Sequence, residues 1–110
     1  MVLGKFEPQV VLKHFEAISR IPRGSGNEKG VSDFIAEFAR GLDLKVVQDE
    51  WNNLIIFKPG TAGYEKKNAV ILQAHLDMVC EKNAGTVHDF LKDPLDLYVD
   101  GDLIRARGTT

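Results

Sequence analysis

His75 and Asp77 stand two positions apart at the end of the most apolar run of the chain, AVILQAHLDMVCE over residues 69–81. Burying either polar side chain is costly unless a partner satisfies it. A neutral imidazole is a good zinc ligand, and a ligating histidine usually donates its other ring N–H to a carboxylate or carbonyl that fixes its tautomer. An aspartate two residues on can be that partner if the chain curls back, so the spacing fits one metal ligand and the group that orients it. It also fits a histidine that simply ends a strand in a hydrogen bond. On these two residues alone the plainer reading is the stronger, because H-x-D is short enough to arise often by chance.

The other residues with chemical potential read more plainly still. His14 falls beside Val11 and Phe15 in an expected helix and reads as a partly buried surface histidine. His88, in GTVHDF, could reach toward a pocket but reads as a solvated loop residue. Cys80 could be a soft ligand; lacking a second cysteine, it reads as a small packed hydrophobe. Asp89, Asp93 and Asp96 form an acidic cluster that a solvated loop explains. There is no glycine-rich phosphate loop, no G-x-S-x-G elbow and no CxxC pair.

The elements that must position His75 and Asp77 follow from periodicity and punctuation. Pro8 opens a helix through QVVLKHFEAISR, with Val11, Phe15 and Ile18 on one face. IPRGSGN breaks it, and Asn27 is the expected N-cap of a second helix with an apolar stripe of Val31, Phe34, Ile35, Phe38 and Leu42, stopping near Gly41. Leu44 to Gln48 and Leu54 to Phe57 read as an antiparallel pair. Ala69 to Ala74, almost continuously apolar, reads as a central strand buried on both faces. Asp100-Gly101 between LYV and DLIRAR is a strong hairpin signal. The expected fold is α/β, a sandwich of two helices against a mixed sheet with hairpins, and ligands in such sheets sit beyond the carboxyl ends of central strands, where His75 and Asp77 lie.

Composition narrows the rest. A chain of 110 residues, 44% hydrophobic and 27% charged, suits one modest globular unit. A formal net charge of −2 supplies no basic stripe for nucleic acid or an anionic membrane. No apolar run approaches a membrane span, the N-terminus MVLGKFEPQ has no secretory h-region, and a lone cysteine can form no internal disulfide, so the cytoplasm is the expected compartment.

Taken together, VILQAHLDMVCEKN, TVHDFLKDPLDLYVDGDLIRARGTT, ISRIPRGSGNEKGVSDFIAEFA and WNNLIIFKPGTAGYE resemble the N-terminal part of the cytosolic non-specific, or aminoacyl-histidine, dipeptidases, which lie among the aminoacylase-like and carboxypeptidase-like zinc peptidases. The resemblance implies that residues 1–110 are an N-terminal portion of a metallopeptidase catalytic domain. It implies that His75 is a ligand of one zinc and that Asp77 is the catalytic acidic residue orienting it. RGTT at Arg107 to Thr110 resembles the segment leading into the family's metal-bridging aspartate. The general base, the other ligands and the lid domain used for dimerisation belong to later parts of the family's sequence.

The implied cofactor is Zn2+, two ions per site, with Co2+ or Mn2+ as alternatives. The implied substrates are dipeptides, including Xaa-His. In such an enzyme the two metals, about 4 Å apart, acidify a bridging water and polarise the scissile carbonyl. One histidine and its partner cannot close a zinc shell, which takes at least three protein ligands, so the isolated chain is expected to be inactive and to bind zinc weakly. Two other readings stay open on the residues: a related deacylase, aminopeptidase or carboxypeptidase, and a small non-catalytic α/β binding domain.

Overall fold

The computed structural model describes residues 1–110. It contains α1 (Gln9–Ser19), α2 (Lys29–Gly41), β1 (Lys45–Gln48), β2 (Leu54–Phe57), β3 (Leu97–Asp100) and β4 (Leu103–Ala106). Where length suggests one unit, the chain forms two compact ones: residues 1–31 with 77–110, and residues 32–76. No helix is long and apolar enough to cross a membrane.

In the first unit, α1 follows Pro8, whose missing N–H costs nothing at a helix start. The face expected from Val11 and Phe15 is exposed, and the helix instead buries Glu16 and Ser19, with Leu12 half-buried above them. The reason is the N-terminal segment. The Glu16 carboxylate accepts the backbone N–H of Val2 at 3.0 Å and of Leu3 at 3.3 Å, and Arg20 closes on it at 3.0 Å. The Gln9 amide donates to the carbonyls of Leu3, Gly4 and Phe6, so the strap is fixed along its length and Leu3 is fully buried. Acceptance from the Val2 N–H, then from Leu3 and the charged neighbours, holds the Glu16 carboxyl below its ordinary range in spite of desolvation.

β3 and β4 form the expected hairpin, with Asp100 opposite Leu103 and Gly101 at φ 61 in the first loop position, the glycine-first pattern of a II′ loop. Lys5 Nζ donates to the Gly101 carbonyl at 2.9 Å, and the Leu95 N–H donates to the Ser19 carbonyl at 3.0 Å, so both ends of the hairpin region are tied to the α1 side of this unit. Arg107 lies over the Tyr98 ring, 4.6 Å from its centroid, while its Nε bonds Asp96 at 3.0 Å.

In the second unit, α2 ends at Gly41 as expected, but the left-handed cap residue is Asp43, at φ 58. The Leu44 N–H reaches back to the Ala39 carbonyl and the Asp43 N–H to that of Arg40, the bonding of a Schellman end. Ser32, Ala36 and Ala39 are buried, whereas Phe34, Phe38 and Leu42 of the expected stripe are exposed. The helix is tied to the β1–β2 region by side chains: Gln48 Nε2 donates to Ser32 Oγ and Asp33 Oδ1, and Ser32 Oγ donates to the Asn52 carbonyl.

β1 and β2 pair antiparallel from Lys45↔Phe57 to Gln48↔Leu54. Asp49 shapes their connection by accepting from Asn53 Nδ2, Asn53 N and Trp51 N, which together hold its carboxyl below the ordinary range, the Asn53 side chain foremost.

The expected mixed sheet is absent from this chain. Its strands form two separate antiparallel pairs, and the central strand expected over Ala69 to Ala74 has no ladder partner. Val70, Ile71 and Leu72 are 84%, 88% and 93% exposed. A strand buried on both faces needs flanking strands and covering layers, and none of these 110 residues supplies them.

Candidate functional site

His75 ends that exposed segment, in the second unit, and is itself exposed. Asp77 begins the returning part of the first unit and is half-buried.

Around Asp77 the geometry is detailed. The loop after α1 runs Arg23-Gly24-Ser25-Gly26-Asn27 and lies against residues 77–80. Gly24 and Met78 make a parallel bridge in which the Met78 N–H donates to the Arg23 carbonyl at 2.9 Å. The Asn27 N–H closes the turn on the Gly24 carbonyl at 2.8 Å, and Gly26 takes the left-handed φ of 87 that glycine adopts without strain. Ser25 Oγ donates to Asp77 Oδ2. Ser25 was not among the residues singled out in the sequence; the one available hint is a hydroxyl placed between two glycines in the only sharp break between the helices.

The remaining candidates divide. His14 is exposed on α1. His88 is half-buried with its ring edge-on to Phe90 at 4.5 Å, and its carbonyl accepts Lys82 Nζ at 3.0 Å. Cys80, expected to pack as a small hydrophobe, is exposed, with Sγ 3.9 Å from the Met78 carbonyl. The acidic cluster is local loop structure: the Asp89 N–H bonds Asp93 Oδ2, Asp89 Oδ1 accepts from Leu91, and Asp96 pairs with Arg107.

Nowhere does the chain gather three or more His, Cys, Asp or Glu side chains in a group that could hold a metal ion. A zinc site needs at least three protein donors, so these residues by themselves do not make a complete one. What they offer is one reachable imidazole and, on the neighbouring segment, a carboxylate held by a serine hydroxyl.

No protein-family model matches the chain. It is 44% identical, over 98% of its length, to the cytosol non-specific dipeptidase of Escherichia coli (strain K12), and spans 22% of that protein. Among solved structures, the aminoacylhistidine dipeptidase of Vibrio alginolyticus matches with a TM-score of 0.92 at 39% identity, over 98% of this chain and 22% of that one. The resemblance read from the residues is therefore borne out in both sequence and fold, and the two helices with their antiparallel pairs reproduce part of a dipeptidase α/β architecture.

Proposed function

We propose that this chain forms part of the catalytic domain of a metal-dependent, non-specific dipeptidase, with His75 as a metal ligand and Asp77 as the acidic residue that orients it. The observation that carries the reading is likeness along nearly the whole chain to two dipeptidases, at identities well above those at which fold alone is shared. The exposed position of His75 supports it, because a ligand must be reachable by the ion. So does the hydrogen bond on Asp77, since carboxylates that orient metal-binding histidines are themselves held in place.

In this reading the cofactor is zinc, two ions per site, and the substrates are dipeptides, among them aminoacyl-histidines. The compartment is the cytosol, as for the E. coli relative, and dimerisation through a lid domain is part of the same proposal. The chain's own residues contribute a ligand, the ligand's orientation and the loop that supports it.

The deciding experiment replaces His75 and Asp77 in the full-length protein carrying this chain. Zinc content is measured by elemental analysis, and hydrolysis is followed on dipeptides, longer peptides and N-acyl amino acids. Asp77→Asn is expected to lower metal affinity or turnover by about 10- to 100-fold, and His75→Ala by at least as much. Unchanged zinc content and turnover in His75→Ala would overturn the reading. Preference for N-acyl amino acids or longer peptides would move the activity to a neighbouring class of amide hydrolase.

A further inference from the structure

We infer that Ser25 is a positioning residue for Asp77, setting the rotation of its carboxylate; the inference rests on the dipeptidase reading, in which Asp77 is the acidic residue that orients His75. Ser25 and Asp77 are 52 positions apart in sequence, yet the Ser25 hydroxyl donates to Asp77 Oδ2. A donor on one oxygen of an ionised carboxylate makes a charge-assisted bond, roughly twice as strong as a neutral one, and restricts turning about the Cβ–Cγ bond. Where the hydroxyl is held is therefore one restraint on the direction in which the second oxygen points.

The backbone holds it from two sides. Met78, next to Asp77, is bonded to the Arg23 carbonyl and bridged to Gly24, next to Ser25. The approach is close enough that a Cβ built on Gly24 would stand 2.5 Å from Cys80 Sγ, so only glycine fits there without displacement. On the other side of Ser25, the Gly26 N–H is taken by Glu28 Oε1 at 2.7 Å and the Asn27 N–H by the Gly24 carbonyl. The peptide units flanking Ser25 are thus bonded, which fixes the main chain from which its hydroxyl reaches Asp77.

The test uses the full-length, zinc-loaded protein and the variants Ser25→Ala, Ser25→Thr, Asp77→Asn, the Ser25→Ala/Asp77→Asn pair and His75→Ala. Ser25→Ala is expected to lower kcat/KM on a dipeptide by about 10-fold, the smaller end of the range for outer partners of metal ligands. The loss should fall on kcat, with KM and the melting temperature close to those of the parent. Ser25→Thr keeps the hydroxyl and should return activity to within about 2-fold. In the Asp77→Asn background, Ser25→Ala should add nothing, since the two act as a unit. Should Ser25→Ala fail to fold, Ser25→Gly, at home in a glycine-flanked loop, carries the same expectations.

Undiminished kcat in Ser25→Ala would overturn the inference, as would an equal loss in the Asp77→Asn background or failure of Ser25→Thr to recover. If His75→Ala keeps zinc and turnover, the dipeptidase reading falls and takes the inference with it. Loss in His75→Ala beside an unaffected Ser25→Ala removes the positioning role alone.

Discussion

Gly24 sits so close to Cys80 that a methyl group on its Cα would come within 2.5 Å of the Cys80 sulfur. The close approach sits beside the Arg23 to Met78 hydrogen bond and the Gly24–Met78 bridge, which hold the post-α1 loop against the returning chain. Gly24→Ala should therefore destabilise the first unit by about 1 kcal/mol, the low end for overpacking because the sulfur terminates an exposed side chain. Adding Cys80→Ala removes the obstructing atom and should recover most of the loss. Urea unfolding of the single and double variants measures both effects. Additive destabilisation would show that something other than the sulfur is being displaced.

Glu16 gives the first unit a dependence on acid. Acceptance from the Val2 N–H, helped by Leu3 and Arg20, lowers its folded pKa below the ordinary 4.5. A carboxyl with a depressed folded pKa binds fewer protons folded than unfolded. Its contribution is complete above about pH 4.5 and is lost as pH falls through the lower folded value. Glu16→Gln should thus melt earlier than the parent at pH 7, and the gap should narrow below pH 4.5. A gap unchanged down to pH 3 would contradict the assignment.

Asp49 acts in the same direction on a different element. Its carboxylate accepts three N–H groups from the β1–β2 connection, and its folded pKa is lowered chiefly by the Asn53 side chain. Asp49→Ala should speed amide exchange at Trp51 and Asn53 at neutral pH, by hydrogen-exchange NMR. The parent should approach the variant only as the carboxyl is protonated in acid.

Asp43 occupies a left-handed conformation that costs a side-chain-bearing residue free energy and glycine almost none. Asp43→Gly should stabilise the end of α2 by about 0.5 kcal/mol, whereas Asp43→Val should destabilise it by about 1–2 kcal/mol. Thermal unfolding of the two variants should move in opposite directions.

Val70, Ile71 and Leu72 present an exposed apolar run, β-branched in part, with its backbone outside any ladder. Such runs template pairing with other chains. Size-exclusion chromatography of the 110-residue chain should show larger species growing with concentration, and Ile71→Lys should return it toward monomer. A monomer at every concentration would contradict this. In the same preparation, calorimetric titration should show only weak zinc binding, whereas submicromolar stoichiometric binding would mean that donors beyond His75 come together.

The legible parts of the fold were those whose causes are local. β2 begins and ends where its apolar run does, α2 stops at Gly41, and the β3–β4 loop falls on its Asp-Gly signal. Ala69 to Ala74 shows the limit of periodicity: it reports what a segment would bury, and the partners that would bury it are not among these residues. The helix stripes erred in part. Phe34 and Phe38 are exposed, and of the expected stripe Val31 is buried, with Ser32, Ala36 and Ala39 completing the buried side. His75 and Asp77 drew attention by type and spacing, but the metal reading of them came from the resemblance and not from the two residues alone. Ser25 drew none, because nothing local in a G-S-G loop points to an acceptor 52 residues away.

The lone thiol gives the chain a single address for covalent labelling. Maleimide chemistry on Cys80 would place a dye or spin probe directly beside Gly24, so opening of the RGSGN turn could be followed by spectroscopy without first engineering an attachment point.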